Sequence, residues 1–282
     1  MQVNVLFQVF GILLCSACLV EGDSYADRVK NLFERHFKTP NNTCWSISNQ
    51  TASAYKGDMR MAVALINVYT QVCKNYADNV NGKPLYAELN KQLRDQTKVQ
   101  IWLDTEQLLN QALQMVGIAT RYNLYRACEC SNIKQGHTFT VNYFWSTSLL
   151  PRVANRFLKA NDFFFHILQA PGSRVSDYSF VQSEKEILLQ SKLEFYVKEY
   201  VDDKENIENK TSSLEGVSKW NQIKAFVVVT GEIPTRGSRS ALKSGYCNCS
   251  GGTTSSPRSA ALKSMPTSFF SASFFIVFRL VW

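Results

Sequence analysis

The sequence predicts an α+β fold, on three observations. Apolar residues recur at three-to-four spacing between Tyr25 and Val116, the period of helices packed by one face. From about Tyr122 to Thr230 the character changes to short runs rich in β-branched and aromatic residues between turn residues, which is strand composition. Helices first and strands later, within residues 23–250, make one domain whose helices cover a sheet rather than alternate with its strands.

Each element follows from its local pattern. Tyr25, Val29, Leu32, Phe33 and Phe37 form one stripe and predict a helix over Tyr25–Phe37. Met59–Tyr76 and Leu85–Leu93 read the same way, separated by the breaker Asn81-Gly82-Lys83-Pro84. Thr105 reads as the cap of a helix Glu106–Val116, with Leu108, Leu109, Ala112, Leu113 and Val116 on one face. Strands are expected at Tyr122–Arg126, Thr138–Trp145, Phe163–Leu168, Ile187–Leu189, Leu193–Val201 and Ile223–Thr230, with a helix at Arg152–Ala160. Phe163-Phe164-Phe165 reads as a buried strand, and polar Asp202–Gly216 as a solvated loop.

The ends of the chain speak of an address. Val3–Val20 is apolar, ends in small residues and is followed by Glu21-Gly22-Asp23, the pattern of a signal peptide over residues 1–22. At the other end Phe269–Trp282 is apolar, yet shorter than the roughly twenty residues that span a bilayer. A polar spacer and the small residues Ser250-Gly251-Gly252 and Ser259-Ala260-Ala261 precede it. Residues 251–282 thus read as the removable tail of a glycosylphosphatidylinositol anchor, although Arg279 is an unusual charge within it.

Sequons at Asn41, Asn49, Asn209 and Asn248 fit an extracellular address. So do the six cysteines left after the leader: Cys44, Cys73, Cys128, Cys130, Cys247 and Cys249. In an oxidising compartment they read as disulfides, with fifteen possible pairings. The alternative is a four-thiolate metal site from the two C-x-C pairs, Cys128/Cys130 and Cys247/Cys249, but structural zinc prefers wider spacing. Residues 23–250 carry 28 basic and 22 acidic residues, a net charge of +6. That charge is spread out, with no basic block interleaved with aromatics, which argues against nucleic acid as partner.

Three short motifs carry the chemistry. Tyr125-Arg126 ends an apolar run, and an arginine there offers paired hydrogen bonds that match a diphosphate. Phe144-Trp145-Ser146-Thr147-Ser148 supplies hydroxyls that can bond ribose or a carboxylate, or cap the next helix. Ser179 is followed by Glu184-Lys185-Glu186. On extended backbone the two glutamates would share one face, roughly 6.5–7 Å apart, with Lys185 turned away. Paired carboxylates suit glycoside cleavage, because they stabilise an oxocarbenium-like transition state. Taken one at a time, the arginine is better read as an ordinary surface residue and the glutamates as a solvated charge run, and the serines can equally be a helix cap.

In combination and order, these motifs, with Ala154-Asn155-Arg156-Phe157 after the serines, resemble the arginine-specific ecto-ADP-ribosyltransferases and their R-S-E-x-E signature. The resemblance runs from about Thr105 to Thr230. It implies a split mixed β-sandwich around an NAD cleft, behind a helical N-terminal region. It implies that Arg126 holds NAD through its phosphate and ribose, and that Ser146 positions the catalytic glutamate and the nicotinamide ribose. Glu186 would be the catalytic carboxylate, and Glu184 would orient and deprotonate the incoming guanidinium. NAD is then a co-substrate, with no metal, and the acceptors are arginine-bearing proteins. The sequence departs from the family in one place: Ala127 stands where glycine commonly follows the arginine, and glycine admits closer backbone approach. An NAD glycohydrolase, with water in place of arginine, uses the same residues. A catalytically silent extracellular binding glycoprotein is the reading from another class.

The membrane expectation is directly testable. A phosphatidylinositol-specific phospholipase should release the protein from the surface of expressing cells into the medium; retention after digestion would overturn the anchor.

Overall fold

The computed structural model describes residues 23–37, 43–76, 79, 82–119, 122–231 and 244–246. The expected leader, the anchor tail, the sequons at Asn41 and Asn248, and Cys247 and Cys249 lie outside the described residues.

Among the described residues five helices come first: α1 (Tyr25–Phe37), α2 (Thr43–Thr51), α3 (Gly57–Thr70), α4 (Leu85–Arg94) and α5 (Gln100–Met115). The stripes predicted for α1 and α4 are the faces they bury: Val29, Leu32, Phe33 and Phe37 in α1, and Leu85, Leu89 and Leu93 in α4. Helix α3 is different, since every residue from Met61 to Thr70 is buried, including polar Asn67 and Thr70. A helix enclosed all round must satisfy its polar side chains internally.

Nine strands and two further helices follow: β1 (Asn123–Cys128), β2 (Thr138–Val141), β3 (Trp145–Ser148), α6 (Pro151–Phe157), β4 (Asp162–Leu168), β5 (Gly172–Arg174), β6 (Glu186–Leu189), β7 (Leu193–Val201), α7 (Lys204–Ser212), β8 (Ile223–Thr230) and β9 (Ser244–Tyr246). Their order is β5-β6-β3-β1-β4-β8-β7-β2-β9. The sheet is mixed: β4 with β8 and β2 with β9 are parallel, and the other pairs antiparallel. The strand β1 runs alongside β4 for six registered pairs, but meets β3 at one, Tyr125 with Ser148. The sheet therefore forks at that point into a three-stranded arm, β5-β6-β3, and a longer one beginning at β1.

The alternation of β4 divides the core. Phe163 and Phe165 join the main cluster with Phe139, Trp145 and Phe195, against which the N-terminal helices pack. Phe164 points the other way, into a second cluster with Ala154, Leu158, Ile207 and Phe226 under α6 and α7. That period of two is what a strand buried on both faces produces.

Three expectations change. Thr105 does not cap α5 but lies inside it; its hydroxyl donates to the Ile101 carbonyl at 2.6 Å and pairs with His36 Nε2 at 2.9 Å. The helix begins earlier because Trp102 also faces the core. The run Thr138–Trp145 is two strands: β2 pairs with β7 and β3 with β6. Asp202–Gly216 is no loop, since α7 occupies most of it. Asp203 caps that helix by accepting from the Asn206 N–H at 2.8 Å, and fully buried Ile207 anchors it. One apolar anchor in nine residues leaves no periodicity to read. The helix α2 and the strand β5 are elements that no local pattern predicts.

A disulfide joins Cys44 of α2 to Cys73 beyond α3, with Cα atoms 5.7 Å apart and a sequence separation of 29. Closing a loop of that length restricts the unfolded chain by roughly 3–4 kcal/mol. Replacing both cysteines by alanine is accordingly expected to lower the unfolding free energy by about 3 kcal/mol in denaturant titration, and a loss below about 1 kcal/mol would show that the crosslink is incidental.

Candidate active site

The three motifs converge on the fork. Arg126 follows Tyr125 on β1, one residue past the last pair with β3, where the backbones part. Its guanidinium bridges the gap instead: Nη1 donates to the Ser146 carbonyl, and Cζ lies 5.5 Å over the Trp145 ring. The indole platform and the carbonyl together fix the direction of a side chain that would otherwise sample many rotamers.

On the other side of the fork, β3 and β6 are in register with Ser148 opposite Glu186 and Ser146 opposite Leu188. Ser146 and Ser148 share one face of β3 by alternation. The Ser148 hydroxyl donates to the Glu184 carbonyl at 2.6 Å and accepts from the Leu150 N–H at 3.0 Å. Thr147 donates to the Ile187 carbonyl at 2.7 Å. The serine-rich strand end thus clips the E-x-E segment to β3 through its hydroxyls.

The E-x-E segment is not a strand throughout. Glu184 ends a 3₁₀ turn at Gln182–Glu184 and Glu186 begins β6. Between them Lys185 takes the left-handed conformation, with φ 48° and ψ 46°. The expected strand alternation therefore does not orient the pair; the left-handed residue does. Lys185 is exposed, as expected, while Glu184 and Glu186 are only 9% and 2% exposed. A non-glycine residue held at positive φ is strained, and here it lies between the two buried carboxylates.

Glu186 Oε2 accepts from the Ser179 hydroxyl at 3.3 Å. Oε1 is buried and, among the described residues, has no hydrogen-bond partner. Burying a polar oxygen unsatisfied is costly, so Oε1 is the atom available to a ligand hydroxyl. Ser179 stands just before the E-x-E motif in sequence, but no local signal assigns it a role there. Ser146 meets Arg126 through its carbonyl, and among the described residues the hydroxyl on Glu186 is that of Ser179.

Ala127 lies opposite Phe164 on β1 and packs against the second cluster. It is absent from the residues with positive φ, so the backbone here is ordinary strand and does not require glycine. Cys128 and Cys130 are not joined to each other, their sulfurs being 3.9 Å apart; Cys130 is disulfide-bonded. Next to the fork, His166 of β4 is in register with Tyr125, and their rings stack at 4.9 Å with an interplanar angle of 12°. Burial lowers the His166 pKa from 6.5 and raises that of Tyr125.

The class defined by these features is an α+β protein whose mixed sheet forks between β1 and β3, with an arginine on β1 at the fork and two buried carboxylates on the arm that carries β3 and β6. Over residues 62–215, more than half of its length, the chain matches the family model of NAD:arginine ADP-ribosyltransferases, and it belongs to that family. The family transfers ADP-ribose with NAD as substrate. Comparison with curated protein sequences gives no match. Among solved structures, exoenzyme S of Pseudomonas aeruginosa, crystallised with human 14-3-3 protein beta and Carba-NAD, is 18% identical. The alignment covers 76% of this chain and 94% of that one, with a TM-score of 0.50. HopU1 of Pseudomonas syringae pv. tomato is 16% identical over 73% of this chain and 96% of its own, with a TM-score of 0.47. The eukaryotic mono-ADP-ribosyltransferase ART2.2 is 12% identical over 74% and 85%, with a TM-score of 0.46. The likeness to exoenzyme S is one of fold.

His166 makes a pH prediction. Its folded pKa lies below its unfolded value of 6.5, so the unfolded chain takes up a proton that the folded chain resists. Stability is then lost as pH falls through 6.5. His166→Phe should flatten the melting temperature between about pH 7 and 5.5 relative to the parent, and an unchanged slope would contradict the assignment.

Proposed function

We propose that the chain transfers ADP-ribose from NAD to the guanidinium of arginine on extracellular or cell-surface proteins, with release of nicotinamide. The observation that carries this is the pair of buried glutamates flanking left-handed Lys185, one of them with an unsatisfied oxygen, in a chain of this family.

The chemistry assigns each group a task. Arg126 pairs with the diphosphate of NAD, a match that lysine does not reproduce. Ser146, on β3 across the fork, borders the nicotinamide ribose. The bond between ribose C1″ and nicotinamide breaks, nicotinamide leaves with the bonding pair, and positive charge develops on the ribose. Glu186 stabilises that charge through its free oxygen, which also accepts from the ribose 2′-hydroxyl. A guanidinium stays protonated in water and is a poor nucleophile. Glu184 holds it and takes its proton as nitrogen bonds to C1″, so that charge and proton balance. In the absence of an arginine, water at the same place gives hydrolysis.

The extracellular part of the proposal draws on the leader and tail patterns and on disulfides at Cys44, Cys73 and Cys130, which persist in oxidising compartments. Asn209 is exposed on α7, as a glycan acceptor must be. Among the described residues no helix is long and apolar enough to cross a membrane, so surface attachment rests on the lipid anchor.

Incubation with labelled NAD and agmatine tests the reaction, since a transferase yields ADP-ribosyl-agmatine and a glycohydrolase yields free ADP-ribose. Glu186→Gln should reduce nicotinamide release at least a hundredfold, as loss of a transition-state charge partner does. Glu184→Gln should abolish transfer while leaving hydrolysis; equal loss of both would refute its separate role. An absence of nicotinamide release from the parent, unchanged in Glu186→Gln, would leave a silent binding protein as the reading.

A further inference from the structure

Nothing in the E-x-E segment itself explains why Ser179 is held against Glu186. The explanation lies more than a hundred residues earlier. Both peptide groups that flank Ser179 are bonded to side chains near the end of α3. Asn67 Nδ2 donates to the Tyr178 carbonyl at 2.8 Å, and the Phe180 N–H donates to Thr70 Oγ1 at 3.2 Å. Thr70 Oγ1 in turn donates to the Asn67 carbonyl at 3.1 Å. Asn67 and Thr70 are 2% and 1% exposed, so these bonds are shielded from competing water.

The network continues behind them. Asn67 Oδ1 accepts from the Ser48 hydroxyl at 2.8 Å. Ser48 accepts from Gln71 Nε2 at 2.6 Å, and Gln71 Nε2 also donates to the Cys44 carbonyl at 3.2 Å. Cys44 is one end of the disulfide to Cys73. The orientation of the Asn67 amide is thereby set from the side away from Ser179. At Ser179 itself the Val181 N–H donates to Oγ at 3.3 Å. That occupies a lone pair of the hydroxyl and leaves its proton for Glu186 Oε2. The main chain closes the arrangement, with Ser179 N donating to the Val175 carbonyl at 2.7 Å and Val175 N to the Glu186 carbonyl at 3.1 Å.

We infer that Asn67 and Thr70 are positioning residues of the transfer reaction: they hold the Ser179 peptide so that its hydroxyl fixes one oxygen of Glu186 and presents the other to the ribose. The inference rests on the role of Glu186 in the proposed function. Neither residue touches substrate. Each acts through Ser179, so its loss loosens the carboxylate without removing it. A small misplacement of a catalytic group costs rate out of proportion to the hydrogen bond that was removed, and the effect falls on kcat more than on NAD binding.

Thr70→Val keeps shape and removes the oxygen. It is expected to lower kcat for nicotinamide release about tenfold, with KM for NAD within about twofold, and Thr70→Ser should restore kcat. Ser179→Ala should produce a loss of the same size, and the double variant should lose no more than either single one, because both act through one bond. A Thr70→Val enzyme with parental kcat, additive losses in the double variant, or a serine variant as impaired as valine would overturn the inference. Should Thr70→Val fail to fold, Ser179→Ala decides alone, since unchanged kcat there removes the link to Glu186. Glu186→Gln separates the two levels. If that variant releases nicotinamide normally, the role of Glu186 has failed. If it is inactive while Ser179→Ala and Thr70→Val are unaffected, only the positioning has failed.

Discussion

The fork in the sheet, where β1 and β3 are in register at Tyr125 and Ser148 alone, is the constraint from which the rest of the site follows. A strand pair that parted by simple fraying would leave buried backbone groups unsatisfied, which is costly. Here a side chain replaces the ladder: the Arg126 guanidinium bonds the Ser146 carbonyl across the gap while lying on the Trp145 ring. The same arginine thereby ties the two arms together across the gap. Trp145 is itself packed between Phe165 and Phe195, so the platform under the arginine is part of the main core.

The opposite lip depends on backbone accounting of the same kind. Glu184 and Glu186 are buried beside a left-handed residue, an arrangement with little intrinsic stability. Hydroxyls of Ser148 and Thr147 compensate by bonding the Glu184 and Ile187 carbonyls. From the helical side, Asn67 and Thr70 hold the segment that carries Ser179. Each hydroxyl or amide used in this way satisfies a main-chain group, which is why short polar residues cluster in an otherwise apolar interior. Glu186 Oε1 has no such partner among the described residues, and an unsatisfied buried oxygen beside the fork is where a ligand gains most.

Much of this is legible in the residues themselves. The stripe in α1 and the alternation of β4 are short-range patterns, and they appear in the structure with nearly the expected limits. The misread segments fail for identifiable reasons. Thr105 looks like a cap because threonine favours that position, but the apolar residues before it, Trp102 above all, extend the helix. The segment from Asp202 to Gly216 holds too few apolar residues to show a period, although Asp203 is a good N-cap. The two strands in Thr138–Trp145 cannot be separated by pattern, because the break is where the chain changes partner rather than where its composition changes. Ser179 is visible beside Glu184 and Glu186, but nothing local says which serine bonds a carboxylate.

The sequence by itself determined the α+β class, the helical first half, and the order in which arginine, serines and glutamates follow one another. These depend on steric preferences and periodicities that act within a few residues. Only the tertiary structure decided that β1 and β3 diverge after one pair, that a left-handed lysine turns both carboxylates inward, and that α3 holds the Ser179 segment across 110 residues of chain. Such pairings come from strand register and helix placement, which minimise the burial of unpaired polar groups over the whole chain at once. No local pattern carries that information, because the partner of a buried polar group is set by where the fold brings it and not by its neighbours in sequence.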